Sequence, residues 1–217
     1  MLKQKKNFII SAVFLLLFIL WTVAVSVIEV KQIGPLGSSV GFATMNGFVR
    51  DFTGVNFALY NITDWLGLVP FAVCCCFGVL GLMQLIKRKS ILKVDYDILA
   101  LGVFYIVVIA VYLLFEGVVI NYRPVLINGI LEVSYPSSTT MLTLCVMPTA
   151  IMQFKMRIKN KTARNVIIFL AVIFTIFMVG GRLISGVHWI SDIIGGALLS
   201  TGIVMLYSVV VEKNFKL

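Results

Sequence analysis

The only histidine of the chain, His188, has Asp192 four residues after it and Arg182 six before it. At that spacing on a helix the carboxylate and the imidazole share one face, so Asp192 can hold one ring nitrogen and leave the other free. A charged trio at the mouth of an apolar stretch is costly unless it borders a polar cavity, which makes it a candidate site. The plainer alternative is an Arg and an Asp snorkelling at a membrane surface beside an incidental His. Two further segments carry matching chemistry. Arg123-Pro124 supplies a second guanidinium, and Pro136-Ser137-Ser138-Thr139 reads as a helix start with free N–H groups. Two forked guanidiniums and a helix N-terminus suit a phosphoryl group. Within that cradle, neutral His188 is a candidate nucleophile on phosphorus, and Arg123 and Arg182 would stabilise charge on the equatorial oxygens. A single histidine rules out a metal site built on several imidazoles. Cys74, Cys75, Cys76 and Cys145 lack metal or disulfide spacing and read as small packing residues. No cofactor is needed.

These residues must be positioned by membrane helices. Hydrophobic residues make up 60% of the chain and charged ones 12%, with a mean hydropathy of +1.06, far too apolar for a soluble domain. Its 217 residues accommodate about six spans of roughly 20 residues each and no second folded domain. The expected fold is all-α, a polytopic bundle of six transmembrane helices forming a single domain over 1–217. The spans are expected at about 8–28, 63–86, 98–118, 138–154, 164–180 and 189–211. The first, preceded by Lys3, Lys5 and Lys6, is too long for a signal-peptide core and reads as an uncleaved anchor.

Between the first two spans, residues 42–57 interleave Phe48, Phe52 and Val55 with Asn46, Arg50 and Asp51, as in a short amphipathic helix on the membrane surface or an irregular loop. Thr63-Asp64 resembles a helix N-cap opening span two. Asn61-Ile62-Thr63 matches the glycosylation sequon, a pattern too short to carry weight. Trp65 and Trp189 fall where interfacial belts place tryptophan, and Gly78, Gly81, Gly195 and Gly196 are spacings that permit close helix approach.

The net charge of +9 does not imply a nucleic-acid partner, because the basic residues lie in alternate loops. Fourteen of the 18 lysines and arginines fall at the amino terminus, after spans two and four, and in the tail. By the positive-inside rule both termini are cytoplasmic, and Arg123, Ser137 and His188 face outward.

With the motifs in order and on one side, the chain resembles the type 2 phosphatidic acid phosphatase superfamily of membrane lipid phosphatases. That family reads Lys, six residues, Arg-Pro; then Pro-Ser-Gly-His; then Ser-Arg, five residues, His, three residues, Asp. Here Arg123-Pro124, Pro136-Ser137 and Arg182, His188 and Asp192 keep their places. The resemblance implies a phosphohistidine at His188 oriented by Asp192, with Arg123, Arg182, Ser137 and the Ser138 amide binding phosphate. It also implies a bacterial plasma-membrane enzyme acting without a metal on a lipid phosphate or diphosphate, of the undecaprenyl diphosphate (cell-wall carrier) or phosphatidylglycerol phosphate type.

Four positions depart from the pattern: Glu116 for the Lys, Ser138-Thr139 for Gly-His, and Gly181 for the Ser before Arg182. Thr139 stands where the family histidine protonates the leaving oxygen, help worth about 10²–10⁴-fold. Its loss costs least when the leaving group is already good, as in a diphosphate. Relatives reading Ser-Tyr-Pro-Ser-Ser-His-Thr-Met-Leu make an engineered change at 139 one reading of this run. The alternative function is a catalytically silent relative, natural or engineered at Thr139, that binds or moves phospholipids. A transporter or channel subunit ranks below both, because the spans are nearly free of charge.

Overall fold

The computed structural model describes residues 2–212, and the expected basic tail, 213–217, lies outside them. Eight α-helices follow in order: α1 (Leu2–Val27), α2 (Ala43–Thr53), α3 (Phe57–Leu66), α4 (Leu68–Arg88), α5 (Tyr96–Gly117), α6 (Ser138–Arg157), α7 (Lys161–Ile184) and α8 (Ile190–Glu212). Among the described residues there is no strand, only three isolated antiparallel bridges in loops. Five helical stretches are long and apolar enough to cross a membrane: Lys3–Val27, Phe57–Arg88, Tyr96–Gly117, Lys161–Ile184 and Ile190–Val211.

The helix at the fourth expected position, α6, is not among the five, and its composition explains why. Thr140, Thr143, Thr149 and Gln153 lie along it, all fully buried. α6 packs against α4, α7 and α8, and α8 also lies along α1 and α5. The two helices that carry Ser138, Thr139 and Asp192 are thus the inner ones. The outer helices turn Leu, Ile, Val and Phe outward, as on Leu16, Ile106, Phe169 and Ile173. Polar side chains inside a membrane bundle need partners. Ser11 donates to the Gly202 carbonyl at 2.8 Å, Ser200 to that of Met141 at 3.2 Å, and Gln153 to the Tyr207 hydroxyl at 2.9 Å.

Several sequence expectations are corrected. The second apolar helix begins six residues before Thr63: Asn56 is the N-cap, its side chain accepting from the Leu59 amide at 2.9 Å. Thr63 is buried within α3, its hydroxyl turned back to the Leu59 and Tyr60 carbonyls. Its isolated match to a cap pattern could not reveal that the helix already ran through it. Trp189 does not sit in an interfacial belt. It is buried, with Nε1 donating to the Tyr122 carbonyl at 2.7 Å, whereas Trp65 is exposed. Cys145 is a buried packing residue as expected, but Cys75 and Cys76 are exposed on α4. Residues 43–53 of the mixed segment are helical, with Phe48 and Phe52 exposed and Asn46 buried.

The connection from α1 to α2 is pressed onto α1 at Gly41, where a Cβ would stand 1.7 Å from the Val25 carbonyl oxygen. A backbone atom cannot retreat as a side chain can. Gly41→Ala is therefore expected to destabilise the fold by about 1–3 kcal/mol, the usual cost of overpacking. Thermal unfolding in detergent will check this, and an unchanged midpoint would contradict the packing described.

Candidate active site

Four segments meet at one end of the bundle: the end of α7 with the turn to α8, the first turn of α8, the start of α6, and the 118–137 loop. The bridge between Tyr122 and Val133 closes that loop and carries Arg123 inward. His188 lies in the turn before α8, not on a helix as its spacing to Asp192 suggests. Gly186, at φ +67°, makes the turn possible, and a Cβ there would stand 1.9 Å from the Gly54 carbonyl.

Asp192 is the third residue of α8 and is fully buried. Its Oδ2 accepts from the Trp189 amide at 3.0 Å, the reach-back half of a capping box, in which a carboxylate also favours the positive helix end. Its Oδ1 accepts from Asn121 Nδ2 at 3.0 Å and Ser191 Oγ at 3.3 Å. Asn46, on α2, in turn donates to Ser191 Oγ at 3.0 Å and accepts from the Ser191 amide at 3.2 Å. Asp192 Oδ2 faces His188 Nδ1 at 3.8 Å, an ion-pair separation longer than a hydrogen bond.

On the other side of the ring, Arg123 Nη1 stands 3.1 Å from His188 Nε2. A guanidinium can only donate, so Nε2 is the acceptor and the proton of the neutral ring sits on Nδ1, toward Asp192. Burial pushes the imidazole down to about 4, the positive charge of Arg123 pushes the same way, and Asp192 opposes both. His188 is thus held neutral with its Nε2 lone pair aimed at the guanidinium.

Both arginines are buried and both have acidic neighbours. Arg123 Nε lies 2.9 Å from Glu132 Oε2. Arg182 Nη2 reaches Asp64 Oδ1 at 2.9 Å and donates to Thr139 Oγ1 at 2.6 Å, and its guanidinium stacks over the Tyr60 ring at 4.9 Å. The Ser137 amide donates to the Asp192 carbonyl at 3.2 Å, joining α6 to α8, while its buried hydroxyl has no partner among the described residues. The first-turn amides of α6, beginning at Ser138, have no side-chain cap.

Arg123, Ser138 and His188 line one cavity of about 500 Å³, together with Tyr112, Glu116 and Glu132. Thr139 does not line it. It borders a neighbouring pocket of about 380 Å³ walled by Phe71, Tyr105, Val108 and Leu142, and Tyr112, Ser138 and Met141 line both. Gly181 lies against Thr63, where a Cβ would come within 2.7 Å of its Cγ2, so a serine there would crowd α3. Among the described residues no group of three His, Cys, Asp or Glu side chains is placed to hold a metal ion. Arg182 and Ser137 line neither cavity, so what the arrangement offers an anion there is the Arg123 guanidinium and the helix start at Ser138, beside a neutral imidazole nitrogen.

Sequence reasoning missed Asn46, Asn121 and Ser191, which hold Asp192, and Tyr60, Asp64 and Glu132, which face the arginines. Asn121 and Glu132 show only as a lone amide and a lone carboxylate in a loop, and Asn46, Tyr60, Asp64 and Ser191 as single polar residues of helices, with nothing in the spacing to say which motif residue each one faces.

The depressed histidine has a testable sign. Its proton affinity is lower folded than unfolded, so stability is present above pH 6.5 and is lost as pH falls toward 4. As the only imidazole in the chain, its NMR titration is expected to have a midpoint near 4; a midpoint near 6.5 would overturn the burial described.

A family model described as the PAP2 superfamily matches residues 72–216. No curated protein sequence matches the chain significantly. Among solved structures, the chain is similar to the crystal structure of a transmembrane PAP2-type phosphatidylglycerolphosphate phosphatase from Bacillus subtilis. The TM-score is 0.58 at 16% identity, covering 95% of this chain and 98% of that one. That likeness is one of fold, while the family match spans the segment carrying Arg123, Ser137, Arg182, His188 and Asp192. The chain belongs to the PAP2 superfamily.

Proposed function

We propose that this protein is a membrane lipid phosphatase that hydrolyses a lipid phosphate or diphosphate through a phosphohistidine at His188. The observation that carries the reading is the meeting of two unlike cavities. A polar one holds His188 and Arg123, an apolar one lies between α4, α5 and α6, and they share Tyr112, Ser138 and Met141. An amphipathic substrate fits such a pair, with its phosphate in the first and its chain entering the second.

In the reaction, phosphate oxygens take over the Nη1 donor that Arg123 now offers to Nε2, freeing that lone pair for attack on phosphorus. Asp192 keeps the proton on Nδ1 and stabilises the positive charge that develops on the ring. Arg123, Arg182, the Ser137 hydroxyl and the Ser138 amide bind the equatorial oxygens. Water then cleaves the P–N bond. No cofactor takes part.

In this reading residues 1–217 form one six-span domain, with α6 the fourth span, sheltered by its neighbours, and α2 lying along the membrane surface on the outer side. Both termini are cytoplasmic, the site faces outward, and the setting is a bacterial plasma membrane. The fold neighbour is named for phosphatidylglycerolphosphate. That lipid and undecaprenyl diphosphate are the substrates to test first.

A catalytically silent lipid-binding relative is the second reading, and Thr139 favours it, since its hydroxyl is taken up by Arg182. The two are separated by assaying phosphate release in detergent with Thr139 intact and with Thr139→His. Catalysis is expected to need His188 in both backgrounds and to fall by at least about 10³-fold in His188→Ala. Lipid binding that survives His188→Ala, with no turnover in either form, would establish the silent reading instead.

A further inference from the structure

Cleaving an alkyl phosphate requires a proton for the departing oxygen, because an alkoxide is a poor leaving group. His188 cannot supply it: Nε2 is the attacking atom, and Nδ1 faces Asp192. The other polar side chains lining the same cavity are Tyr112, Glu116, Arg123, Glu132, Ser134, Tyr135 and Ser138, of which Ser138 carries an aliphatic alcohol, too weak an acid to supply the proton. Arg123 does not release a proton in proteins. Glu132 is the counter-ion of Arg123, 2.9 Å away. The Tyr135 hydroxyl is turned onto Thr22 at 2.6 Å, and the Ser134 hydroxyl toward the Asn121 carbonyl at 3.4 Å. Tyr112, one turn back on α5, sits beside Glu116 and is a phenol with little acid strength near neutral pH. Thr139 lies outside the cavity against Arg182.

That leaves Glu116, in the last turn of α5, with no ion pair among the described residues and open to the cavity. Resting on the phosphohistidine reading, we propose that Glu116 is the catalytic acid that protonates the leaving oxygen, and then the base that activates water.

The steps balance. Nε2 forms the P–N bond as the P–O ester bond breaks; the electron pair of that bond goes to the leaving oxygen, which takes the Glu116 proton and departs as an alcohol. Water then attacks phosphorus and gives a proton to the Glu116 carboxylate, and the P–N pair returns to Nε2. The proton arrives with the substrate. A phosphate held by Arg123 faces the carboxylate, and two anionic groups in one cavity share a proton; a phosphate monoester has a second pKa of about 6. The charged and titratable groups facing this exchange are Tyr112 on α5, Arg123, Glu132 and Tyr135 on the loop, and His188 in the turn before α8. Because His188 is neutral down to about 4, the nucleophile stays in working form in mildly acidic solution.

The experiment compares dodecyl phosphate with 4-nitrophenyl phosphate, whose leaving group needs no proton, in the full chain in detergent. Glu116→Gln is expected to lose about 10²–10⁴-fold on the dodecyl ester and less than about tenfold on the nitrophenyl ester. It should also lose the rise in rate toward pH 6, and Glu116→Asp should recover part of it. Equal losses on the two esters, or undiminished dodecyl turnover, would overturn the assignment of Glu116. Thermal unfolding of the variant separates chemistry from misfolding, since a folding defect lowers both rates together and Glu116→Asp then becomes the deciding variant, by its pH profile. Turnover that survives His188→Ala would sink the underlying nucleophile reading, whatever Glu116→Gln does.

Discussion

The fully buried carboxylate of Asp192 is the constraint on which the rest of the site depends. An ionised carboxylate away from water is tolerated only when its lone pairs are taken up. Here the Trp189 amide, Asn121 and Ser191 do so, with the His188 ring facing the carboxylate at 3.8 Å. Each donor ties in a different part of the chain. Asn121 brings the 118–137 loop, Ser191 brings Asn46 and with it α2, and the Asp192 carbonyl receives the Ser137 amide at the start of α6. Satisfying one charge thus gathers the segments that make the anion site.

The two guanidiniums pose the opposite problem. Arg123 and Arg182, both buried, would on their own carry uncompensated positive charge. Glu132 and Asp64 offset it, and Tyr60 presents a ring face to both arginines. The two carboxylates thus place a counter-charge beside each buried guanidinium. The same arrangement places Arg123 against His188, where its positive charge helps to keep the imidazole unprotonated.

The bundle supplies the surroundings this chemistry needs. Placing α6 and α8 inside lets Thr149, Gln153, Ser200 and Thr201 find partners in the protein, while α1, α4, α5 and α7 give apolar faces to the outside. Close approach at Gly202, whose Cβ would meet Leu15 at 2.7 Å, and at Gly195 against the Tyr135 ring at 2.6 Å brings the inner helix near its neighbours. The apolar pocket beside the cavity of His188 belongs to the same layout, walled by residues of α4, α5 and α6 around Thr139.

The sequence by itself determined that the chain is all-helical and apolar enough for a membrane, because long apolar runs are a one-dimensional property. It also made the motif residues legible, since Arg123, Ser137, Arg182, His188 and Asp192 keep a spacing that survives without coordinates. It misjudged the start of the second apolar helix and the setting of Trp189, because a cap or a belt position is decided by what lies across from it. Only the tertiary structure decided that Asn46, Asn121 and Ser191 hold the aspartate, that Thr139 faces Arg182, and that Glu116 shares the cavity of His188. Those relations join residues up to 145 positions apart, as Asn46 and Ser191 are. No local pattern encodes such a distance; burying a charge and finding its partners does.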